Sequence, residues 1–191
     1  MPFNLPIALT WLRVVAIPLL VTIFYLPASW LSMPEKNALA TSLFIFAALT
    51  DWLDGYLARR MKQESAFGQF LDPVADKLIV AAALLVLLNM DRVQVWVALV
   101  IIGREITISA LREWMAQVGA SKSVAVHMVG KLKTTAQLVA IPFLLFNGTL
   151  FGWLDAALIG TWLIWVAAFL TLWSMFYYLQ KALPQLLGKS D

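Results

Sequence analysis

Cysteine is missing from this chain of 191 residues, and histidine occurs once, as His127, which we expect on the surface. The absence of cysteine excludes disulfides, thiol nucleophiles and sulfur-ligated metals. Charged residues are scarce as well, at 13% of the chain, whereas 62% of the residues are hydrophobic. This composition, with a mean hydropathy of +0.82, is typical of an integral membrane protein and not of a soluble domain. The mild net charge of +3 suits anionic lipid surfaces, and we expect no nucleic-acid partner.

The hydrophobic residues form six long stretches joined by short polar connections. A membrane-spanning helix needs roughly twenty apolar residues, and backbone groups inside lipid must be hydrogen-bonded within helices. We therefore predict an all-α polytopic membrane protein, a single domain over residues 1–191 with six transmembrane helices. The predicted spans are 9–26, 37–61, 69–90, 94–115, 129–146 and 153–179.

Residues 1–13 are predicted to form an interfacial segment that leads into the first span. A secretory signal peptide is the alternative, because the first apolar run ends in small residues near Ser29. The region ahead of that run is not basic apart from Arg13, which favours an uncleaved first span.

The basic residues favour one orientation in the membrane, because six spans place both termini on the same side. Of the fourteen lysines and arginines, two lie near the opposite face, Lys36 and Arg92, and three lie within spans. The other nine lie near the face of the termini: Arg13, Arg59, Arg60, Lys62, Lys122, Lys131, Lys133, Lys181 and Lys189. Positive charge concentrates in cytoplasmic loops, so both termini are predicted to be cytoplasmic.

Four aspartates between residues 51 and 76 interrupt this apolar sequence at membrane depth. One face of the second span carries two carboxylates and two very small residues: Asp51, Asp54, Gly55 and Ala58. A second stripe, at a spacing of four, comprises Gly68, Asp72 and Asp76 if the third helix extends back that far. Because proline is tolerated only in a first helical turn, Pro73 also allows Asp72 to cap the helix, with Gly68 in the turn. A short connection makes the two helices antiparallel neighbours, so the carboxylates face each other.

Ionisable groups at membrane depth usually mark a functional site. Carboxylates without nearby histidine or cysteine suit hard divalent cations such as Mg²⁺ or Mn²⁺. Two ions beside a basic residue, here Arg59, could clamp a diphosphate. The alternative is a set of structural ion pairs with Arg59, Arg60 and Lys77.

The spacing D-x2-D-G-x2-A-R-x8-G-x3-D-x3-D resembles the signature of the CDP-alcohol phosphotransferases, and its eight positions are Asp51, Asp54, Gly55, Ala58, Arg59, Gly68, Asp72 and Asp76. The N-terminal segment is similar to theirs too, at Asn4, Pro6, Leu9, Thr10 and Arg13, although Ile7 stands where asparagine is common. The resemblance implies that Asp51, Asp54, Asp72 and Asp76 bind two divalent ions and that Asp76 is the general base. It also implies a CDP site formed by Asp54, Gly55, Ala58, Arg59 and Gly68, a bacterial inner-membrane location, and pairing as a homodimer. The orientation predicted from the basic residues places this site on the cytoplasmic side.

The fourth and fifth spans add a basic cluster on the same side of the membrane. Arg104 and Arg112 are eight residues apart, about 80° around a helix, and could serve one pocket. Together with Lys131 and Lys133 they are our candidates for binding an acceptor phosphate. The alternative is that Glu105 and Glu113 pair with the arginines and only tie helices together.

These two segments most resemble the bacterial family members whose acceptor is glycerol 3-phosphate. The resemblance implies transfer of the phosphatidyl group of CDP-diacylglycerol to the primary hydroxyl of sn-glycerol 3-phosphate, giving phosphatidylglycerol phosphate and CMP. Transfer to inositol phosphate, serine or phosphatidylglycerol is the main alternative. A divalent-cation transporter would also need acids at membrane depth, but it gives no role to Gly55, Ala58 and Gly68.

Overall fold

A computed structural model describes residues 5–61, 66–117 and 128–186 of the chain. Within these ranges the side chains of 5–7, 52–61, 66, 67, 69, 128–131, 181, 182 and 184–186 lie outside the description. The described part contains six helices: α1 (Leu5–Tyr25), α2 (Met33–Met61), α3 (Ala66–Asn89), α4 (Val95–Gln117), α5 (Met128–Phe146) and α6 (Ala156–Leu186). A short antiparallel hairpin, β1 (Thr149–Leu150) and β2 (Leu154–Asp155), joins α5 to α6. The all-α prediction is confirmed for this part of the chain, apart from the hairpin.

Two of the helices contain stretches long and apolar enough to cross a membrane, judged by length and composition. They are Ala8–Tyr25 in α1 and Ala156–Gln180 in α6, and α5 contains a shorter apolar stretch, Leu132–Phe146. Helices α2, α3 and α4 are long as well, but each carries several charged residues in its sequence. These findings concern only the described residues and bear on two of the six predicted spans.

Most helices begin and end within about four residues of the predicted boundaries, although α6 continues to Leu186, past its predicted end at 179. Two other differences are informative. Helix α3 starts at Ala66 and contains Pro73 in its interior, so Gly68 is helical and does not lie in a turn. Of the two arrangements that the sequence allowed, the helix therefore extends back through Gly68. Helix α1 already begins at Leu5, so most of the predicted lead-in is part of the first helix.

The six helices pack around a main apolar core, and α4 and α6 form a second, smaller cluster with Ile108, Met115 and Tyr178. Helix α1 packs against α2 and α3, α5 packs against α6 and α2, and α4 packs against α6 and α3. The core includes Leu20, Phe44, Leu84, Leu87, Ile101 and Leu144, each exposed by no more than 1%. Helices α5 and α6 approach closely at Gly160, where an added Cβ would lie 2.7 Å from Leu144 Cγ and 3.0 Å from Leu144 N. Only a residue without a side chain fits there.

Three connections meet at one end of the bundle through two buried or half-buried cations. Lys36 donates from its Nζ to the Leu26 carbonyl just beyond α1. Arg92 donates from Nη1 to the carbonyls of Leu144 (3.2 Å) and Leu145 (2.9 Å), and from Nη2 to Asn37 Oδ1 (3.0 Å). Carbonyls at a helix C-terminus have no partner within the helix, so Arg92 caps α5. This end is opposite the one that contains the charged side chains described next.

Candidate active site

A cavity of about 540 Å³ lies between the helices and is lined by acidic, basic and apolar side chains. Asp51 from α2 and Asp72 and Asp76 from α3 line one part of it. Arg104 and Arg112 from α4 also line the cavity, as does Gln137 from α5. Apolar side chains complete the wall, among them Phe44, Ala47, Ile79, Val80 and Leu138. The cavity therefore joins an acidic region to a basic region along an apolar surface.

Helix α1 supplies the partners of the three aspartates. Arg13 is 1% exposed, and its Nη1 lies 2.9 Å from Asp51 Oδ1 and also pairs with Asp76 Oδ1. One turn earlier, Thr10 Oγ1 donates to Asp72 Oδ1 at 2.6 Å. Residues three apart lie on the same face of a helix, so Thr10 and Arg13 together face the carboxylates. The ion pairs described for these aspartates thus involve Arg13 and not Lys77.

These carboxylates fit a divalent cation by their chemistry. Asp51, Asp72 and Asp76 line one cavity, and two of them already share a single cationic nitrogen of Arg13. Hard cations prefer carboxylate oxygens. Among the described side chains no three acidic, histidine or cysteine groups lie close enough to hold one ion, and the side chain of Asp54 is outside that set.

At the basic end, Glu105 connects two cations from different helices. Its Oε1 pairs with Lys133 from α5 and lies 3.4 Å from Arg104 Nη1. Lys133 is 1% exposed, and a buried charge needs such a partner. The pairing of Arg104 with Glu105 that the sequence offered as an alternative is therefore present, and both residues also line the cavity. Two cations share one anion there, so a net positive charge remains.

Two residues of helix α6 contact the side chains of Arg104 and Arg112. Tyr178 is 1% exposed, its ring centroid lies 5.7 Å from Arg104 Cζ and 5.3 Å from Arg112 Cζ, and its hydroxyl accepts from Arg112 Nη2 at 3.2 Å. One turn earlier, Ser174 Oγ accepts from Arg104 Nη2 at 3.2 Å. Guanidinium groups over an aromatic face are held by cation–π attraction. The two arginines are therefore fixed next to one ring.

The structure places the predicted site residues as follows. It brings Asp51, Asp72, Asp76, Arg104 and Arg112 to one cavity, with Lys133 joined to that cavity through Glu105. Gly68 lies in α3. The remaining candidates lie in helices whose side chains at these positions are outside the described residues: Asp54, Gly55, Ala58, Arg59 and Lys131. His127 also lies outside them.

Four contacts of the site were missed from the sequence. Thr10 and Arg13 match the N-terminal pattern of the family, but their contacts with the aspartates were not predicted, although two polar residues spaced by three interrupt an apolar helix. Ser174 and Tyr178 are spaced by four on α6, but an aromatic run around them gave no reason to single them out. Tyr178 is packed in the interior of the bundle.

Comparison with known proteins identifies the relatives of this chain. A family model described as CDP-alcohol phosphatidyltransferase matches residues 3–173. The chain belongs to the CDP-alcohol phosphatidyltransferase family. It is 51% identical to the CDP-diacylglycerol–glycerol-3-phosphate 3-phosphatidyltransferase of Salmonella choleraesuis strain SC-B67, over 99% of this chain and 100% of the relative. The protein of the same name from Escherichia coli strain K12 is 50% identical over the same shares.

Membership in this family confirms the resemblance drawn from the motif between residues 51 and 76. Members of the CDP-alcohol phosphatidyltransferase family are transferases that generally use divalent metal ions. In this chain, three of the aspartates of that motif line the cavity described above. The cavity is therefore the candidate active site of a phosphatidyltransferase.

Proposed function

We propose that this protein transfers the phosphatidyl group of CDP-diacylglycerol to the primary hydroxyl of sn-glycerol 3-phosphate, releasing CMP. The cavity is the observation that carries the proposal, because it joins acidic side chains for a diphosphate–metal complex to a basic region for an acceptor phosphate. The names of the two relatives at 50% and 51% identity support this acceptor.

The acidic region would hold the CDP-diacylglycerol end of the reaction. Asp51, Asp54, Asp72 and Asp76 would bind two Mg²⁺ or Mn²⁺ ions. Such ions, when bound, neutralise the diphosphate and stabilise charge on the entering and leaving oxygens. Gly55, Ala58 and Gly68 would let the cytidine lie close to the backbone, and Arg59 would add a positive charge beside the diphosphate. Thr10 and Arg13 orient the three described carboxylates.

Asp76 would act as the general base on the acceptor. The proton of the primary hydroxyl passes to the Asp76 carboxylate while that oxygen forms a bond to the phosphorus that carries diacylglycerol. The bond from this phosphorus to the bridging oxygen breaks, and CMP leaves with the electron pair. An ordinary carboxylate is a weak base for an alcohol, so much of the rate would come from holding both substrates in position.

The basic region would hold the acceptor phosphate. Arg104 and Arg112 face the cavity with donors, and Arg104 Nε is buried without a hydrogen-bond partner among the described residues. A phosphate can accept several hydrogen bonds from guanidinium groups in a fixed orientation. Lys133 adds a buried charge next to them, and Lys131 is the second lysine candidate. The net positive charge favours a phosphorylated acceptor over a neutral one such as serine.

The rest of the assignment concerns the membrane. We propose a single catalytic domain with six transmembrane helices in a bacterial inner membrane, with both termini and the site on the cytoplasmic side. Nine basic residues near that face support this orientation. A cavity there could receive a soluble acceptor from the cytosol and a lipid from the inner leaflet. Pairing as a homodimer is part of the same proposal.

The test is CMP release by the purified protein in detergent with CDP-diacylglycerol and Mg²⁺. Glycerol 3-phosphate is compared with inositol phosphate, serine, phosphatidylglycerol and no acceptor. We expect release only with glycerol 3-phosphate, and none after addition of a chelator. Release with a different acceptor would overturn the assignment of the basic region. Metal flux into liposomes without CMP release would instead favour a divalent-cation transporter.

A further inference from the structure

Gln137 is a buried polar residue that the proposed reaction has not used. It lies on α5, four residues after Lys133, and is 4% exposed. Its side chain lines the cavity together with Asp76 and Arg104. The carboxamide oxygen of Gln137 is buried and accepts no hydrogen bond from any described group. Buried polar oxygens are nearly always hydrogen-bonded, so this one calls for a donor that enters the cavity.

The acceptor in the proposed function has one group that remains unassigned. Glycerol 3-phosphate carries a phosphate, a primary hydroxyl and a secondary hydroxyl between them. The phosphate is assigned to the basic region and the primary hydroxyl to Asp76, which leaves the secondary hydroxyl at C2. A hydroxyl is a hydrogen-bond donor, and a carboxamide oxygen is an acceptor with two lone pairs. Donor and acceptor are therefore complementary.

The position of Gln137 in the bundle agrees with this match. Residues four apart lie on one face of a helix, so Gln137 and Lys133 present their side chains in the same direction from α5. Helix α5 packs against α2 and α3, which carry the aspartates, and against α6, which holds the arginines. Gln137 thus lines the same cavity as the aspartates and the two arginines, and an acceptor that contacts both groups would pass along this wall.

We propose that Gln137 is a specificity-determining residue that accepts a hydrogen bond from the C2 hydroxyl of the acceptor. This inference rests on the proposed function. A ligand that leaves a buried polar group of the protein unpaired loses far more binding free energy than a ligand that merely lacks one methylene. Gln137 therefore favours acceptors that carry a hydroxyl at C2, between the phosphate and the reacting hydroxyl, over acceptors that lack it.

The experiment compares two acceptors that differ only at C2, glycerol 3-phosphate and 3-hydroxypropyl phosphate, by CMP release. For the wild-type protein we expect kcat/KM to be about ten- to a hundredfold lower with 3-hydroxypropyl phosphate. In Gln137→Met, which has similar length but no carboxamide, that ratio should fall to about one, through loss of activity with glycerol 3-phosphate alone. Gln137→Glu keeps an acceptor oxygen and should preserve the ratio. Its added charge should change kcat/KM for both acceptors by the same factor, which cancels in the ratio. Val139→Met, on the exposed side of α5, is the control and should leave the ratio unchanged.

The outcomes separate the two proposals. If the wild-type protein releases no CMP with glycerol 3-phosphate, the proposed function fails and the inference fails with it. If it uses both acceptors equally well, the function stands and the inference is overturned. Equal losses with both acceptors in Gln137→Met would also overturn it, because they would show only a structural role. Should Gln137→Met not fold, equal use of both acceptors by the wild-type protein, or loss of the wild-type ratio in Gln137→Glu, would still overturn the inference.

Discussion

At the scale of single residues, Arg13 has an unusual position, because one of its nitrogens serves two carboxylates. Its Nη1 contacts both Asp51 and Asp76, and the side chain is 1% exposed. Removing one partner of a buried ion pair costs more stability than the pair itself contributes. A divalent cation bound by the same carboxylates would compensate for the lost charge.

Replacing Arg13 by alanine should therefore destabilise the protein in a metal-dependent way. In the presence of a chelator we expect the apparent unfolding midpoint of Arg13→Ala to fall by roughly 6–20 °C relative to wild type. Added Mg²⁺ should narrow that difference, because an ion bound to the folded state stabilises it. Thermal unfolding in detergent measures both values. Lys36→Met, at the opposite end of the bundle, is the control, and its unfolding midpoint should fall by the same amount with and without Mg²⁺. If the midpoint of Arg13→Ala also falls equally under both conditions, the prediction is contradicted.

The proposed base can be tested by an isosteric change. Asp76→Asn should reduce kcat at least about a hundredfold, since general-base catalysis contributes about that much. Binding of CDP-diacylglycerol should stay largely intact, because Asp51, Asp54 and Asp72 remain. Steady-state kinetics and equilibrium binding check the two expectations. Asp91→Asn is the matched control, at a position with a left-handed φ of 55° that asparagine tolerates. Near-normal turnover in Asp76→Asn would remove Asp76 as the base.

Tyr178 contacts the arginines in two ways, through its hydroxyl and through its ring, and these contributions can be tested separately. Tyr178→Phe loses the hydrogen bond to Arg112 and keeps the ring beside both arginines. We expect the KM for glycerol 3-phosphate to rise by about three- to tenfold with kcat nearly unchanged. Tyr178→Leu, which also removes the cation–π contact, should raise it further. Phe176→Leu, exposed on the same helix, should leave KM unaltered. A change confined to the KM for CDP-diacylglycerol would show that the basic region is misassigned.

At the scale of helices, the close packing of α5 against α6 depends on one glycine. In Gly160→Ala the new methyl group would meet Leu144 at 2.7 Å, so the helices must move apart. Overpacking of this kind costs about 1–3 kcal/mol. Gly103 on α4 has nothing within 4 Å of an added Cβ, so Gly103→Ala should be neutral or stabilising by up to about 1 kcal/mol. The unfolding midpoints of the two variants test this difference in stability. Equal midpoints for Gly160→Ala and Gly103→Ala would refute the prediction.

The helices were largely predictable from the sequence, because long apolar stretches and short connections leave few alternatives. The start of α3 was not, since Pro73 is compatible with either a first turn or an interior position, and only packing against α1 and α4 decides between them. The position of Asp51, Asp72 and Asp76 at one cavity was predictable for a different reason, because fixed spacing on a helix places side chains on one face. Partners that come from distant helices, such as Thr10 on α1 and Tyr178 on α6, leave no local pattern and need the tertiary structure.

At the scale of the whole molecule, the missing cysteines make orientation in the membrane directly testable. Single cysteines can be introduced into a background that has none. Ser29→Cys, in the connection after α1, should react with a membrane-impermeant maleimide in intact cells. Ser190→Cys, near the C-terminus, should react only after permeabilisation. The reverse pattern, or labelling of both positions in intact cells, would contradict a cytoplasmic location of the termini.

The contacts at the end of the bundle opposite the site can form only at a late stage of synthesis. Arg92 follows α3, yet two of the carbonyls that it binds, those of Leu144 and Leu145, belong to the end of α5. While the ribosome is still producing α4, these two carbonyls do not exist, and of the three partners described for the guanidinium Asn37 alone is present. The turn after α3 therefore acquires its final contacts only once α5 has been inserted. A nascent chain shorter than about 145 residues cannot assemble that end, whatever the state of the four aspartates.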